Sequence, residues 1–200
     1  MKKQAGFTLV EIAIVMVIIG LLLGGVLKGQ QIIVNAKMRN LDNQYNGVTA
    51  AIYSYQDRYL TLPGDDAKTE TRWGTDVKKG DGDRKIGGDF DDDGTGTVES
   101  RLFWSHLRAA GLIAGGITDT LQPGNSFNGL VGVSTGDVAN IKGLFVGFSN
   151  LSKEIASMVD ERGDDGIPKT GSIQATKSGV PGTVIDDYTT DQLYDLYFTL

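Results

Sequence analysis

The sequence predicts an α+β protein in which one long N-terminal helix precedes a loop-rich head. An apolar run covers residues 7–27 and is broken by a single charge, Glu11. The first proline is Pro63, so no proline interrupts a helix over residues 7–58. From Gly64 onward there are 22 glycines in 137 residues, about twice the usual share. This composition predicts a head built from loops and short elements.

The apolar run is long enough to cross a membrane once. Its 21 residues would span roughly 31 Å as a helix, about the thickness of a bilayer core. Lys2 and Lys3 give the preceding leader, residues 1–6, a positive end typical of the cytoplasmic side. A secretory signal peptide has a shorter apolar core that ends in a small-residue cleavage site. The alternative is an ordinary signal anchor in which Glu11 is incidental.

Beyond the membrane segment, apolar residues continue at helical spacing. Steps of three and four keep them on one face of a helix. The stripe comprises Val34, Met38, Leu41, Tyr45, Val48, Ile52, Tyr55 and Tyr59. Such a stripe could lie under the head or form a coiled-coil dimer. Broad tyrosine rings fit a mixed sheet surface better than a narrow seam, which favours packing against the head.

The start of the apolar run has a pattern of its own. Gly6 and Phe7 open the sequence GFTLVE, which ends at Glu11. This sequence resembles the class III leader of type IV pilins and type II secretion pseudopilins. The resemblance implies that a prepilin peptidase cuts between Gly6 and Phe7 and methylates the new amine of Phe7. It also implies that Glu11 pairs with the Phe7 amine of a neighbouring subunit. A carboxylate in lipid costs several kcal/mol unless it is paired, so a docking cation is favoured.

The resemblance extends to the head and to the whole architecture. The segments LPGDDA (62–67), ESRLFWSHLRAAGLI (99–113) and DDGIPKTGSIQA (164–175) resemble one subgroup of prepilin-like proteins. The fold implied is type IV pilin-like, with the helix (7–58) packed against a head (59–200) that holds a small antiparallel sheet. The location implied is the bacterial inner membrane, single-pass with an extracytoplasmic head, and later a periplasmic or extracellular filament. The partners implied are copies of the chain, the peptidase and the inner-membrane assembly platform.

The net charge and the cysteine content of the chain limit its possible partners and its means of stabilisation. The net charge of −6 becomes −8 when Lys2 and Lys3 leave with the leader, not counting the new terminal amine. An acidic surface argues against nucleic acid as the main partner, because phosphates favour clustered Lys and Arg. The chain has no cysteine. The head must therefore be held by its core, by packing on its helix, or by a metal.

The remaining elements and the single histidine indicate no catalytic group. A second helix is predicted from about Glu99 to Gly111, with His106 on it. A catalytic histidine needs a nucleophile or carboxylate arranged around it, and the sequence has no cysteine and no serine elbow. We therefore predict a packing or surface role for His106 and no enzymatic activity.

The C-terminal half of the head is predicted to contain two strands and a helix. A strand is predicted over residues 144–148, and a helix over residues 153–162 that Ser152 caps. Alternation at 194, 196, 198 and 200 predicts a last strand with one buried face.

Acidic turns are the candidate metal site. Asp89, Asp91 and Asp93, followed by Gly94, reproduce the opening of a calcium loop. An EF-hand would place its bidentate glutamate at position 100, whereas Glu99 stands one residue early. We predict calcium within residues 81–99, a possibility that the resemblance also supports. The candidate ligands are Asp81, Asp83, Asp89, Asp91, Asp93 and Glu99, and a further acidic group is Asp160, Asp164 and Asp165. The alternative is that these are solvated turns without a metal.

The function predicted is structural: a processed, membrane-inserted subunit that polymerises through its N-terminal helix into a type IV pilus or type II secretion pseudopilus-like filament. Two alternatives stay open. One is a minor or priming pseudopilin of a secretion or DNA-uptake system. The other is a membrane-tethered calcium-binding domain or enzyme, which would require a convergent polar pocket.

Overall fold

The computed structural model describes residues 7–92, 94, 97–180, 182–189 and 191–200. The chain divides into two compact units, Met1–Arg39 and Asn40–Leu200. The helix α1, Leu9–Tyr59, contributes residues to both units. This confirms the predicted long helix, which begins two residues later than expected because Thr8 takes the capping position.

In the second unit, residues 40–59 of α1 form one wall of the head. Leu41, Val48, Ile52 and Tyr55 are buried. The ring of Tyr45 lies 5.0 Å from that of Phe198. Within this unit the apolar stripe is therefore covered by the head of the same chain, as predicted, and is not left open for a coiled coil.

The described strands form one antiparallel sheet in the order β1-β2-β4-β3. The bounds are β1, Val131–Val138; β2, Ile141–Ser152; β3, Ile173–Lys177; and β4, Leu193–Thr199. The small antiparallel sheet is thus confirmed, and the predicted strand over 144–148 is the middle of a longer β2. Strands β1 and β3 were not predicted.

Both outer edges of the sheet are covered by loops of the same chain. On the β1 side, the Thr135 amide donates to the carbonyl of Ile86 at 2.9 Å and the Val131 amide to that of Pro123 at 2.8 Å. On the β3 side, the Ala175 amide donates to the carbonyl of Pro168 at 2.8 Å. These bonds satisfy outward-facing backbone groups that an open edge would leave unpaired.

The last strand has two buried faces, so the prediction of one was wrong. Tyr194 and Leu196 are buried on one face, and Asp195 and Tyr197 on the other. The reason is that both faces of the sheet are covered at β4, with Tyr45 of α1 packing against Phe198 and Phe90 packing against Tyr197 on the other face. Alternation along a sequence does not distinguish such a strand from one with a solvated face.

Three helices complete the described elements: α2, Thr69–Trp73; α3, Glu99–Ala109; and α4, Lys153–Gly163. The predicted second and third helices correspond to α3 and α4. Ser152 does precede α4, but its hydroxyl makes no capping bond to the first turn. It is also the last residue of β2, so its conformation is fixed by the strand.

His106 has the packing role that was predicted. It is fully buried on α3. Its Nδ1 accepts the Gly64 amide at 2.8 Å, and its Nε2 lies 2.7 Å from the carbonyl of Lys78. These partners require a neutral ring with the proton on Nε2. Burial lowers the pKa of His106 to about 4.

Candidate functional site

The first candidate site is the start of α1. The Thr8 amide and hydroxyl both donate to Glu11 Oε2, at 2.7 Å and 2.8 Å. The Glu11 amide returns a bond to Thr8 Oγ1 at 3.3 Å. This reciprocal arrangement is a capping box, in which two otherwise unpaired amides of the first turn gain acceptors. Phe7, just before it, is 84% exposed, and Gly6 lies outside the described residues.

The first unit presents an apolar surface over its N-terminal half. Among the described residues, α1 is the helix long and apolar enough to cross a membrane, and its most apolar window is entirely unburied. A core helix of a soluble domain would have that window covered. An uncovered apolar helix near the N-terminus is consistent with the predicted membrane segment over residues 7–27.

The second candidate site is a group of carboxylates in the head, which we call the first carboxylate cluster: Asp65, Asp81, Asp83 and Glu99. One carboxylate oxygen from each residue lies within 4.8 Å of the others. Asp81, Asp83 and Glu99 were predicted ligands, and the structure brings them together. Asp65 was not predicted and joins them from the loop that follows α1.

Backbone amides hold these carboxylates in place. Glu99 Oε1 accepts the Asp81 amide and its Oε2 the Gly87 amide, both at 2.9 Å. Asp83 donates its amide to Asp81 Oδ1 at 3.0 Å. The Arg84 amide donates to Asp65 Oδ2 at 2.9 Å. The loop and the start of α3 are thereby tied together through acidic side chains.

The loop crossing at this cluster requires glycine. Gly64 has a φ of +92°, and a Cβ there would lie 2.7 Å from the Glu99 carbonyl oxygen. Only glycine combines that backbone conformation with so close an approach. Gly64 therefore lets Asp65 enter the cluster beside the first turn of α3.

Asp65 is the distinctive member of the cluster. It is 1% exposed, and its Oδ1 has no hydrogen-bond partner among the described residues. Burial raises the pKa of Asp65, opposed by the amides of Arg84 and Gly82 and reinforced by the charges of Asp83 and Asp81. Among the described residues, no Lys or Arg forms an ion pair with any of the four carboxylates. A buried, unpaired carboxylate oxygen is costly unless a cation reaches it.

Glu99 shares this environment. Burial raises the pKa of Glu99, with the Gly87 and Asp81 amides lowering it and the nearby Asp81 and Asp65 charges raising it. Oxygen donors at this density are the ligand set that Ca²⁺ prefers. The residues present therefore fit a hard divalent cation.

The calcium-loop motif lies elsewhere. Asp89 and Asp91 flank the buried Phe90 and line a different depression, with Asp137 on its wall. Among the described residues they do not belong to the first carboxylate cluster. Asp93 lies outside the described residues, so the full motif stays a prediction.

The acidic group after α4 also converges. One carboxylate oxygen from each of Asp160, Asp164 and Asp165 lies within 4.8 Å of the others. We call these residues the second carboxylate cluster.

The N-terminal segment matches a known family model. Residues 1–27 match the prokaryotic N-terminal methylation motif. The chain carries a prepilin-type N-terminal signal. This is the signal of type IV pilins and pseudopilins, as the resemblance of GFTLVE indicated. The prepilin-type signal covers the leader and the apolar segment, and the head lies outside the match. Neither the curated proteins nor the solved structures gave a match to the chain.

Two residues of the candidate sites, Thr8 and Asp65, were not assigned a role from the sequence. Thr8 stands three residues before Glu11, which is the spacing of a capping box, so this signal was readable. Asp65 lies 16 positions before Asp81 in sequence. Its place in the cluster depends on the loop crossing at Gly64, which no local pattern reveals.

Proposed function

We propose that this chain is a structural subunit of a type IV pilus or type II secretion pseudopilus-like filament, polymerised through α1. The observation that carries the proposal is the prepilin-type signal over residues 1–27, which contains Glu11 and whose apolar segment lies on an uncovered helix. In this proposal the peptidase removes residues 1–6 and methylates the Phe7 amine. The head then remains outside the inner membrane until the subunit enters the filament.

Charge pairing would set the register between subunits. The new amine of Phe7 is a cation, and Glu11 of the adjacent subunit supplies the opposite charge in an apolar interior. Pairing removes the cost of an isolated carboxylate there, and apolar helix surfaces provide cohesion. A carboxylate has acceptor sites for about four hydrogen bonds, so Glu11 can keep its bonds to Thr8 while it accepts a neighbour's amine.

The deciding experiment compares three chains in a bacterium that has its own filament assembly machinery: wild type, Glu11→Ala and Glu11→Asp. We expect mass spectrometry of wild type to find an N-methylated Phe7 at the N-terminus and microscopy to find the chain along filaments. Glu11→Ala should be cleaved and yet fail to enter filaments, whereas Glu11→Asp should retain part of the incorporation. Native protein that begins at Met1 and never occurs in a fibre would refute the proposal.

The same experiment separates a major from a minor subunit. A major subunit accounts for most of the protein in purified filaments. A priming subunit occurs in few copies at one end. Labelling of the head in filaments by antibody therefore distinguishes the two roles.

We further propose that the first carboxylate cluster binds calcium and stabilises the head. The support is the buried Asp65, whose Oδ1 has no partner among the described residues, beside three other carboxylates. Bound calcium would offset their mutual repulsion and join the loop after α1 to the start of α3. Such a cation would stand in for the disulfides that a chain without cysteine cannot form. The test is calcium-dependent melting of the full chain, with Asp65→Asn as the variant.

A further inference from the structure

Two residues on one surface of the head have left-handed backbone conformations that their side chains disfavour. Leu60 has a φ of +58° and Arg84 a φ of +72°. Asparagine tolerates this region, whereas leucine and arginine adopt it at a cost that glycine would avoid. Both residues line one open depression, together with Leu62. We call Leu60, Leu62 and Arg84 the Leu60 surface.

The two strained side chains contribute little to their own head. Leu60 is 90% exposed and directly follows the last residue of α1. Its amide donates to the Gln56 carbonyl at 2.8 Å, a bond that ends the helix without using the side chain. Arg84 is exposed and forms no ion pair with any described residue. Backbone strain at such residues points to a contact with another molecule.

A complementary feature lies beside β1. It is a cavity of about 240 Å³, which we call the Asp89 cavity. This volume is below the range of about 300–1,000 Å³ that is typical of sites for small molecules, and it suits a protein side chain better. The residues that define the cavity are Gly88, Asp89, Asp91, Gly136, Asp137 and Val138.

The loop that carries two of these carboxylates is fixed by the core. Phe90 lies between Asp89 and Asp91 in sequence and is buried. A Cβ at Gly132 would lie 1.8 Å from the Phe90 carbonyl oxygen, and one at Gly147 would lie 2.3 Å from the Phe90 ring. Glycine in both strands therefore lets the loop pack closely, and the flanking carboxylates are presented at the cavity.

The arrangement of charge fits a guanidinium group. Asp89, Asp91 and Asp137 are all described residues, yet they are not one of the carboxylate groups whose oxygens lie within 4.8 Å of one another. In the part of the chain that the structure describes, no Lys or Arg forms an ion pair with Asp89 or Asp137, although Lys142 stands opposite Asp137 on β2. Arginine presents five donors on a planar fork and can contact separated carboxylates.

We propose that the Leu60 surface of one copy contacts the Asp89 cavity of the next copy, with Arg84 between the carboxylates and Leu60 against Val138. The two surfaces differ, which a contact repeated along an open filament requires. Their opposite charges fix the register between heads. This inference rests on the proposed filament and adds an orienting contact between heads to the packing of α1.

The first test separates a contact between copies from a role in folding. Asparagine adopts the left-handed conformation more readily than leucine, so Leu60→Asn should leave the Tm of the full chain in detergent micelles unchanged or higher. Filament yield, measured by microscopy in a bacterium with its own assembly machinery, should nevertheless fall several-fold. The control is Leu121→Asn, the same change at a residue that is 61% exposed, and it should assemble like wild type. Equal yields from the two variants would contradict the proposal.

The second test exchanges the charges. Arg84→Asp and Asp89→Arg should each reduce filament yield several-fold. The chain with both substitutions should recover most of the loss, because the two charges are again opposite. Lys85→Asp makes a similar change at an exposed neighbouring position and should have little effect. If the double variant assembles no better than the single variants, Arg84 does not bind the Asp89 cavity.

The third test locates the contact, since the chain has no cysteine of its own. A chain with Leu60→Cys and Gly136→Cys has one thiol on each surface, and a Cβ at Gly136 would meet no described atom within 4 Å. A short bis-maleimide should join subunits of filaments into dimers and longer multimers, but should leave the chain monomeric in micelles. The control pair Leu121→Cys and Gly136→Cys should give no multimers.

The outcomes distinguish this inference from the function on which it rests. Filaments that assemble from the Leu60→Cys and Gly136→Cys chain without forming cross-linked multimers would overturn the contact and leave the filament proposal standing. A wild-type chain that never enters filaments would instead refute the proposed function.

Discussion

Thr8 and Glu11 cap the first turn of α1 reciprocally, with Glu11 Oε2 accepting both the amide and the hydroxyl of Thr8. Glu11 therefore has a role within its own subunit as well as the proposed one with a neighbour. The capping box fixes the carboxylate at the end of the helix where an incoming amine would approach.

Removing the Thr8 hydroxyl should weaken assembly without blocking processing. Thr8→Val loses the cap, which costs about 1 kcal/mol, and allows the first turn and Glu11 to move. We expect normal cleavage and methylation by mass spectrometry but fewer filaments by microscopy. Thr8→Ser retains the hydroxyl and should assemble like wild type. Equal filament yields from the valine and serine variants would contradict this role.

Calcium should stabilise the head through Asp65. In wild type, saturating CaCl₂ should raise the Tm of the full chain in micelles. Asp65→Asn should lose the part of the shift due to the first carboxylate cluster. Asp76→Asn, an exposed substitution in the same part of the head, is the matched control. If Asp65→Asn and Asp76→Asn respond equally to calcium, the first carboxylate cluster is not a calcium site.

His106 should make the head sensitive to acid. Its pKa is about 4 in the folded protein against 6.5 when unperturbed, so the unfolded chain binds more protons between those values. Its contribution to stability is complete above pH 6.5 and is lost as pH falls towards 4. His106→Gln cannot titrate, so the stability advantage of wild type over this variant should shrink by about 2–3 kcal/mol between pH 7.5 and 4.5.

Denaturant unfolding of the full chain in micelles at the two pH values measures that difference. Calcium is kept constant in all samples, since acidic residues elsewhere titrate in the same range. An advantage that stays the same at both pH values would show that His106 is not held neutral by its surroundings.

Packing of α1 on the head should depend on Ile52 and not on its neighbour. Ile52 is 1% exposed, whereas Tyr53 is 57% exposed. Ile52→Ala should lower the free energy of unfolding by about 2–5 kcal/mol, and Tyr53→Ala by about 0.5 kcal/mol or less. The loss should be independent of protein concentration. A concentration-dependent loss would instead indicate the coiled-coil dimer.

The elements predicted correctly are those with strong local patterns. The segment GFTLVE matches a known motif within six residues. The apolar stripe on α1 repeats every three or four residues, and α3 has the apolar spacing of an amphipathic helix. β1 is interrupted by Gly132 and Gly136, and β3 is a five-residue strand. Such strands acquire their conformation from pairing with β2 and β4, so local propensity carries little signal for them.

The site was predicted in part for a similar reason. Asp81 and Asp83 belong to one GDGD segment, and Glu99 was predicted together with Asp89, Asp91 and Asp93 because no basic residue lies among those carboxylates. Asp65 reaches them through a tertiary loop crossing, while Asp89 and Asp91 are carried away by Phe90, which anchors their segment in the core. Whether a carboxylate joins the first carboxylate cluster therefore depends on which neighbouring residues are buried, and not on its spacing in the sequence.

The covered sheet edges have a consequence for the proposed filament, in which copies of the head would be packed side by side. Identical domains held side by side are at very high local concentration, and exposed strands in that setting recruit one another into unintended aggregates. Here the Ile86, Pro123 and Pro168 carbonyls already occupy outward amides of β1 and β3. In such a filament these amides would not be available to pair with strands of a neighbouring head.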